Sequence, residues 1–107
     1  MSATETQADI NARPRALFAL GRVVMTCGVN ALVQGGAVNP IGLLRRHVTG
    51  DWGDMSDGDK AQNDDAVKSG EDRLMSSYPI PTSRDGRVWI ITEWDRSVTT
   101  LLLPSEY

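Results

Sequence analysis

The stretch RLMSSYPIPTSRDGRVWIITEWDRSVTTLLL, residues 73–103, leaves this chain the fewest choices of fold. Its β-branched and aromatic residues recur with a period of two, the spacing that puts alternate side chains on opposite faces of a strand. Pro79 and Pro81 end the first run, Asp85–Gly86 is a strong hairpin turn, and EWDR joins the last two runs. The pattern predicts consecutive antiparallel strands over about residues 73–78, 87–93 and 97–103, with Trp89 and Ile91, or their alternates, facing inward.

The N-terminal half carries helix signals instead. Leu20–Thr26 is β-branched towards its end and reads as a strand, and Thr26 can cap a short helix, CGVNALVQ, that stops at Gly35–Gly36. Asn39 suits the next N-cap and Pro40 the first helical position, where a missing N–H costs nothing. In the helix PIGLLRRHVT, Ile41, Leu44 and Val48 share one face, and His47 is expected at the edge of that face. Ser56 caps a third helix running to about Lys68, with Asp57 and Asp59 at the positive end of its dipole and Gly70 as its stop. Its apolar side is thin, Ala61, Ala66 and Val67, so it belongs on the surface. The predicted class is α+β: short helices packed on one face of a small antiparallel sheet that ends in a three-stranded meander.

At 107 residues the chain is expected to be one domain over residues 14–107, preceded by a polar, disordered tail over residues 1–13. Its single cysteine, Cys27, excludes an internal disulfide framework and a multi-cysteine zinc site. The longest N-terminal apolar run is broken by Gly21 and Arg22, which argues against a membrane span or signal peptide and for a cytoplasmic protein. Eight of the fourteen acidic residues fall between Asp51 and Asp72, against only Lys60 and Lys68 there. That is the reverse of a basic nucleic-acid footprint, so direct nucleic-acid binding is not expected.

The segment RHVTGDWGDMSDGDKAQNDDAV, residues 46–67, places the only histidine before that aspartate run. An EF-hand reading fails, because from Asp57 the fifth position is Ala61 and the twelfth is Lys68. Asp51, Asp54 and His47 could hold a divalent ion, but the two aspartates also suit turn caps beside Gly50 and Gly53, and no metal or cofactor is expected. Trp52, within GDWGD, either plugs the core with its indole N–H partnered or anchors a protein partner; the core role is the first reading. Cys27 with His47 could form a nucleophile–base pair, although a cysteine among apolar residues is more often a small hydrophobe. His47, Glu93 and Arg96, with Thr99 and Thr100, could support metal-free RNA cleavage as base, acid and phosphate clamp. The plainer reading is a Glu93–Arg96 cross-strand ion pair over a two-residue Trp94–Asp95 loop.

LLRRHVTGDWGD, DDAVKSGEDRLMSSY and VWIITEWDRSVTTLLLPSEY resemble a family of small proteins of plasmids, phages and integrated elements, over roughly residues 17–107. Its members are often labelled plasmid-related protein or type I restriction endonuclease subunit M. The resemblance implies a mobile-DNA setting, where small proteins often act against host defences. A methyltransferase needs a cofactor-binding domain that this pattern does not provide. The expected function is therefore a non-enzymatic inhibitor of a host-defence nuclease complex, CRISPR or restriction, whose partner is a nucleic-acid-binding protein assembly. Its expected binding residues are Asp51, Trp52, Asp54, Asp57, Asp59, Asp64 and Asp65. The alternative is a small metal-independent ribonuclease using His47, Glu93 and Arg96.

Overall fold

The computed structural model describes residues 15–107; the tail expected over residues 1–13 lies outside them. In chain order the elements are β1 (Arg22–Met25), α1 (Cys27–Gln34), α2 (Pro40–Val48), α3 (Asp57–Ser69), β2 (Leu74–Pro79), β3 (Arg87–Thr92), β4 (Val98–Leu102) and a 3-10 turn (Pro104–Glu106). Local chemistry sets the helix starts. Thr26, Asn39 and Ser56 each accept a first-turn N–H with the side chain, from Val29, Gly42 and Asp59. Gly70, at φ 70°, ends α3 in the left-handed region.

β2, β3 and β4 form the expected antiparallel meander. The whole sheet is not a simple meander, however: its order is β1-β4-β3-β2, and β1 lies parallel to β4. The small antiparallel sheet expected from sequence is thus a mixed one. The reason is connection length, because β1 reaches the sheet's far edge through three helices, and such a crossover permits a parallel partner where a tight turn does not.

Register assigns the faces. Leu74, Ser76 and Tyr78 pair with Thr92, Ile90 and Val88, which lie in turn beside Thr99 and Leu101. These alternates, rather than Trp89 and Ile91, meet the helices. Val29 of α1 and Leu43 of α2 join Tyr78, Val88, Ile90 and Leu101 in the main core. Trp52, Ala66 and Leu74 form a second cluster, with Phe18, Met55 and Val67 packed on it. At the C-terminus, the Glu106 carboxylate accepts from Thr26 Oγ1 at 2.6 Å, Gly28 N at 2.9 Å and Leu103 N at 2.9 Å, tying the 3-10 turn to the first turn of α1.

The helix faces differ from expectation. On α2 the buried residues are Leu43 and His47, while Ile41 is 67% exposed and Leu44 and Val48 are half-buried. On α3 the buried residues are Asn63 and Ala66, and Ala61 is exposed. In both helices a polar side chain with fixed partners lies inside, which an apolar count does not register.

Candidate functional site

The aspartate-rich segment divides into a structural loop and an exposed helix. The loop follows α2 and runs along the outer edge of β2. Ser77 donates its N–H to the Trp52 carbonyl at 3.0 Å, and its own carbonyl accepts from Asp54 N at 2.7 Å. Gly53 sits between them at φ 78°, so close that a Cβ would collide with the Ser77 carbonyl and the Tyr78 ring. Trp52 points inward and is 3% exposed. Its ring stacks on Phe18 and meets His47 edge-on, with centroids 6.1 and 5.8 Å away, and Nε1–H donates to Asp64 Oδ1 at 3.0 Å.

Trp52 is therefore the core plug, and it offers a partner no surface. Asp64 leaves the list of free charges too, because it holds the indole. Asp51 pairs with Arg46 at 2.6 Å and accepts from Gly53 N; the Arg46 hydrogen bond, against the opposing effect of burial, keeps its carboxyl below the usual range. Arg46 also lies over the Tyr78 ring at 4.4 Å, and Tyr78 donates its hydroxyl to the Asp51 carbonyl at 2.6 Å. Burial pushes that phenol up to about 12. Asp54 pairs with Arg87 at 3.4 Å. Asp57, Asp59 and Asp65 stand exposed on α3, in no ion pair with any described residue.

α3 is mounted rigidly behind those charges. Asn63 clamps the β2 backbone, donating Nδ2 to the Met75 carbonyl at 2.7 Å and accepting from Met75 N at 3.2 Å. Arg96 closes the other end. Its guanidinium donates to the carbonyls of Ala66 (3.0 Å), Asp72 (2.6 Å), Glu93 (3.3 Å) and Trp94 (2.9 Å), where a cation also complements the C-terminal end of the helix dipole. The expected Glu93–Arg96 ion pair does not form. Arg96 sits instead at φ 61°, closing the β3–β4 turn through its own N–H to the Glu93 carbonyl.

His47 is wholly buried under α2, not at the edge of a face. Its Nδ1 lies 2.6 Å from Ser76 Oγ and its Nε2 lies 2.9 Å from Thr92 Oγ1. The proton order follows from the end of the chain of bonds. Thr99 gives its only hydroxyl proton to the Leu20 carbonyl at 2.6 Å, so it must accept from Thr92 at 2.8 Å. Thr92 has then used its proton and must accept from Nε2–H, which leaves Nδ1 bare to accept from Ser76. The ring is neutral and held in one tautomer. Burial lowers its pKa to about 3.

His47, Glu93 and Arg96 are not brought together as a catalytic set. The histidine is enclosed with both nitrogens engaged, Glu93 is exposed at the β3–β4 turn, and the Arg96 guanidinium is occupied by carbonyls. Cys27 is exposed at the start of α1, remote in setting from the enclosed imidazole. Among the described residues no three histidine, cysteine, aspartate or glutamate side chains converge as metal ligands, and no helix is long and apolar enough to cross a membrane. Away from the acidic helix lies an apolar groove of about 640 Å³ lined by Leu20, Ile41, Leu44 and Val48 with Ala16 and Arg45. The apolar face that the sequence marks on α2, Ile41, Leu44 and Val48, lines this groove.

Comparison with known proteins finds no match: no family model, curated protein or solved structure aligns significantly with the chain.

Proposed function

We propose that the chain is a non-enzymatic binding protein that meets a basic partner surface through the outer carboxylates of α3. The observation that carries this reading is the contrast within the aspartate run. Asp51, Asp54 and Asp64 serve the fold, whereas Asp57, Asp59 and Asp65 project unpaired from a helix pinned at the middle and at the end. Fixed charges of one sign steer association and suit a groove built for phosphates. Resemblance to small proteins of mobile elements supports the finer reading: a cytoplasmic inhibitor of a CRISPR or restriction nuclease complex.

The test is inhibition of target cleavage by purified restriction and CRISPR effector nucleases, using wild type and the triple variant Asp57→Asn, Asp59→Asn, Asp65→Asn. Inhibition by wild type should weaken with salt, because exposed charges are screened over about 8 Å at physiological ionic strength. The triple variant should lose most of it while melting as wild type does. Inhibition unchanged in the triple variant would reject the acidic surface. Metal-independent RNA cleavage by wild type would replace this reading with the ribonuclease one.

A further inference from the structure

β1 is an edge strand whose free side no described residue covers. The N–H groups of Arg22 and Thr26 donate to the Ser97 and Leu101 carbonyls of β4, at 2.9 and 3.0 Å. In a parallel ladder this turns the even-numbered residues towards β4 and points the N–H and C=O of Val23 and Met25 outward. No described residue bonds to those four groups. Register puts Val23 beside Thr99 and Met25 beside Leu101, on the helix-bearing face, yet the two side chains are 41% and 40% exposed, with no described helix reaching over them.

We propose that a second copy of the chain docks here, β1 against β1 antiparallel about a twofold axis through Val24, to make one continuous eight-stranded sheet.

Three features favour a second copy as the occupant. The first is parity. A twofold at Val24 sets Val23 opposite Met25 of the other copy, and these are the residues with outward N–H and C=O groups. Both Val23–Met25 pairs then become hydrogen-bonded pairs, with four main-chain bonds in all, and their side chains meet as cross-strand apolar pairs. The second is charge. The same register sets Arg22 opposite Thr26, whose hydroxyl is bound to the Glu106 carboxylate, so the exposed Arg22 guanidinium approaches that carboxylate twice across the axis. The third is closure. The β2 edge is already occupied by the Trp52–Asp54 loop and Asn63, so edge pairing between copies can only join β1 to β1 and stops at two. Four bonds and two small apolar pairs form a modest interface, so the dimer is concentration-dependent rather than obligate.

The test uses the full chain in sedimentation equilibrium together with amide hydrogen exchange. Wild type should be a reversible dimer, and the Val23 and Met25 amides should become protected as concentration rises, while the Val24 amide is protected throughout. Val23→Lys with Met25→Lys, which sets lysines opposite lysines, should weaken dimerisation at least about tenfold, because like charges directly opposite destabilise a strand pair. Both side chains lie at the open edge, 41% and 40% exposed, where a lysine can carry its ammonium into water, so the melting temperature in dilute solution should stay close to wild type. Arg22→Glu should weaken the dimer and remove its salt sensitivity. A wild type that stays monomeric to high concentration overturns the proposal. So does a dimer that the double lysine variant leaves intact, or one whose formation leaves Val23 and Met25 exchange unchanged.

Discussion

The two edges of the sheet are treated in opposite ways. Along β2, each outward backbone group near the centre has a partner: Met75 is clamped by the Asn63 amide, and Ser77 is held between Trp52 and Asp54. Along β1, those of Val23 and Met25 meet no partner among the described residues. An unpaired edge is a template for another strand, and proteins normally blunt it with charge, proline or a covering element. Here one edge is covered by a loop and a helix that a tryptophan anchors, and the other is merely short. The difference teaches what the aspartate-rich segment is for locally. Before it can present charge, it seals an edge.

The largest effect should come from removing the anchor. Trp52→Ala should cost about 3–5 kcal/mol, since it empties the second cluster and frees the Asp64 carboxylate; denaturant unfolding measures it. A cost near zero would mean that the loop seals the edge unaided. Asn63→Ala should follow at about 2–3 kcal/mol, because it strands the N–H and C=O of Met75 together. Hydrogen exchange should show the Met75 amide opening selectively, so that the β2 edge begins to behave like the β1 edge. The smallest effect comes from acid. His47 titrates near 3 when folded and near 6.5 when unfolded, so below pH 6.5 the unfolded chain takes up the proton and the folded one does not. Stability is complete above pH 6.5 and falls with acidification, by about 2 kcal/mol at pH 5. Asp51, whose pKa is depressed, loses its contribution only at lower pH. The interval from pH 6.5 to 5 therefore isolates the histidine, and the slope there should vanish in His47→Gln.

What could be read from sequence was what is local. Thr26, Asn39, Ser56 and Gly70 act on N–H groups or dihedrals within a turn of themselves, so the helix boundaries were legible. The meander was legible because period-two runs with tight turns leave one arrangement. Trp52 as a core residue followed from the difficulty of leaving an indole in water. The direction of β1 was not legible, since its partner lies beyond three helices. Nor was the inner face of α2. Ile41, Leu44 and Val48 outnumber Leu43 in apolar weight, and what draws His47 inside is Ser76 and Thr92, which are 29 and 45 residues away. The role of Arg96 is illegible in the sequence for a related reason. A charged side chain suggests a charged partner, but this one is matched to four carbonyls contributed by α3, the loop after it and its own turn.

The bond sequence from Ser76 to Leu20 makes the histidine's proton a matter decided elsewhere. The Leu20 carbonyl can only accept, and that single fact orients Thr99, then Thr92, then the imidazole. Thr99→Val would keep nearly the same shape while removing the instruction. Thr92 could then turn its hydroxyl either way, and the ring would become a two-state element that exchanges its proton between nitrogens, its nitrogen resonances averaging where those of wild type stay apart. A backbone oxygen three bonds away thus acts as the memory of which way the core is wired.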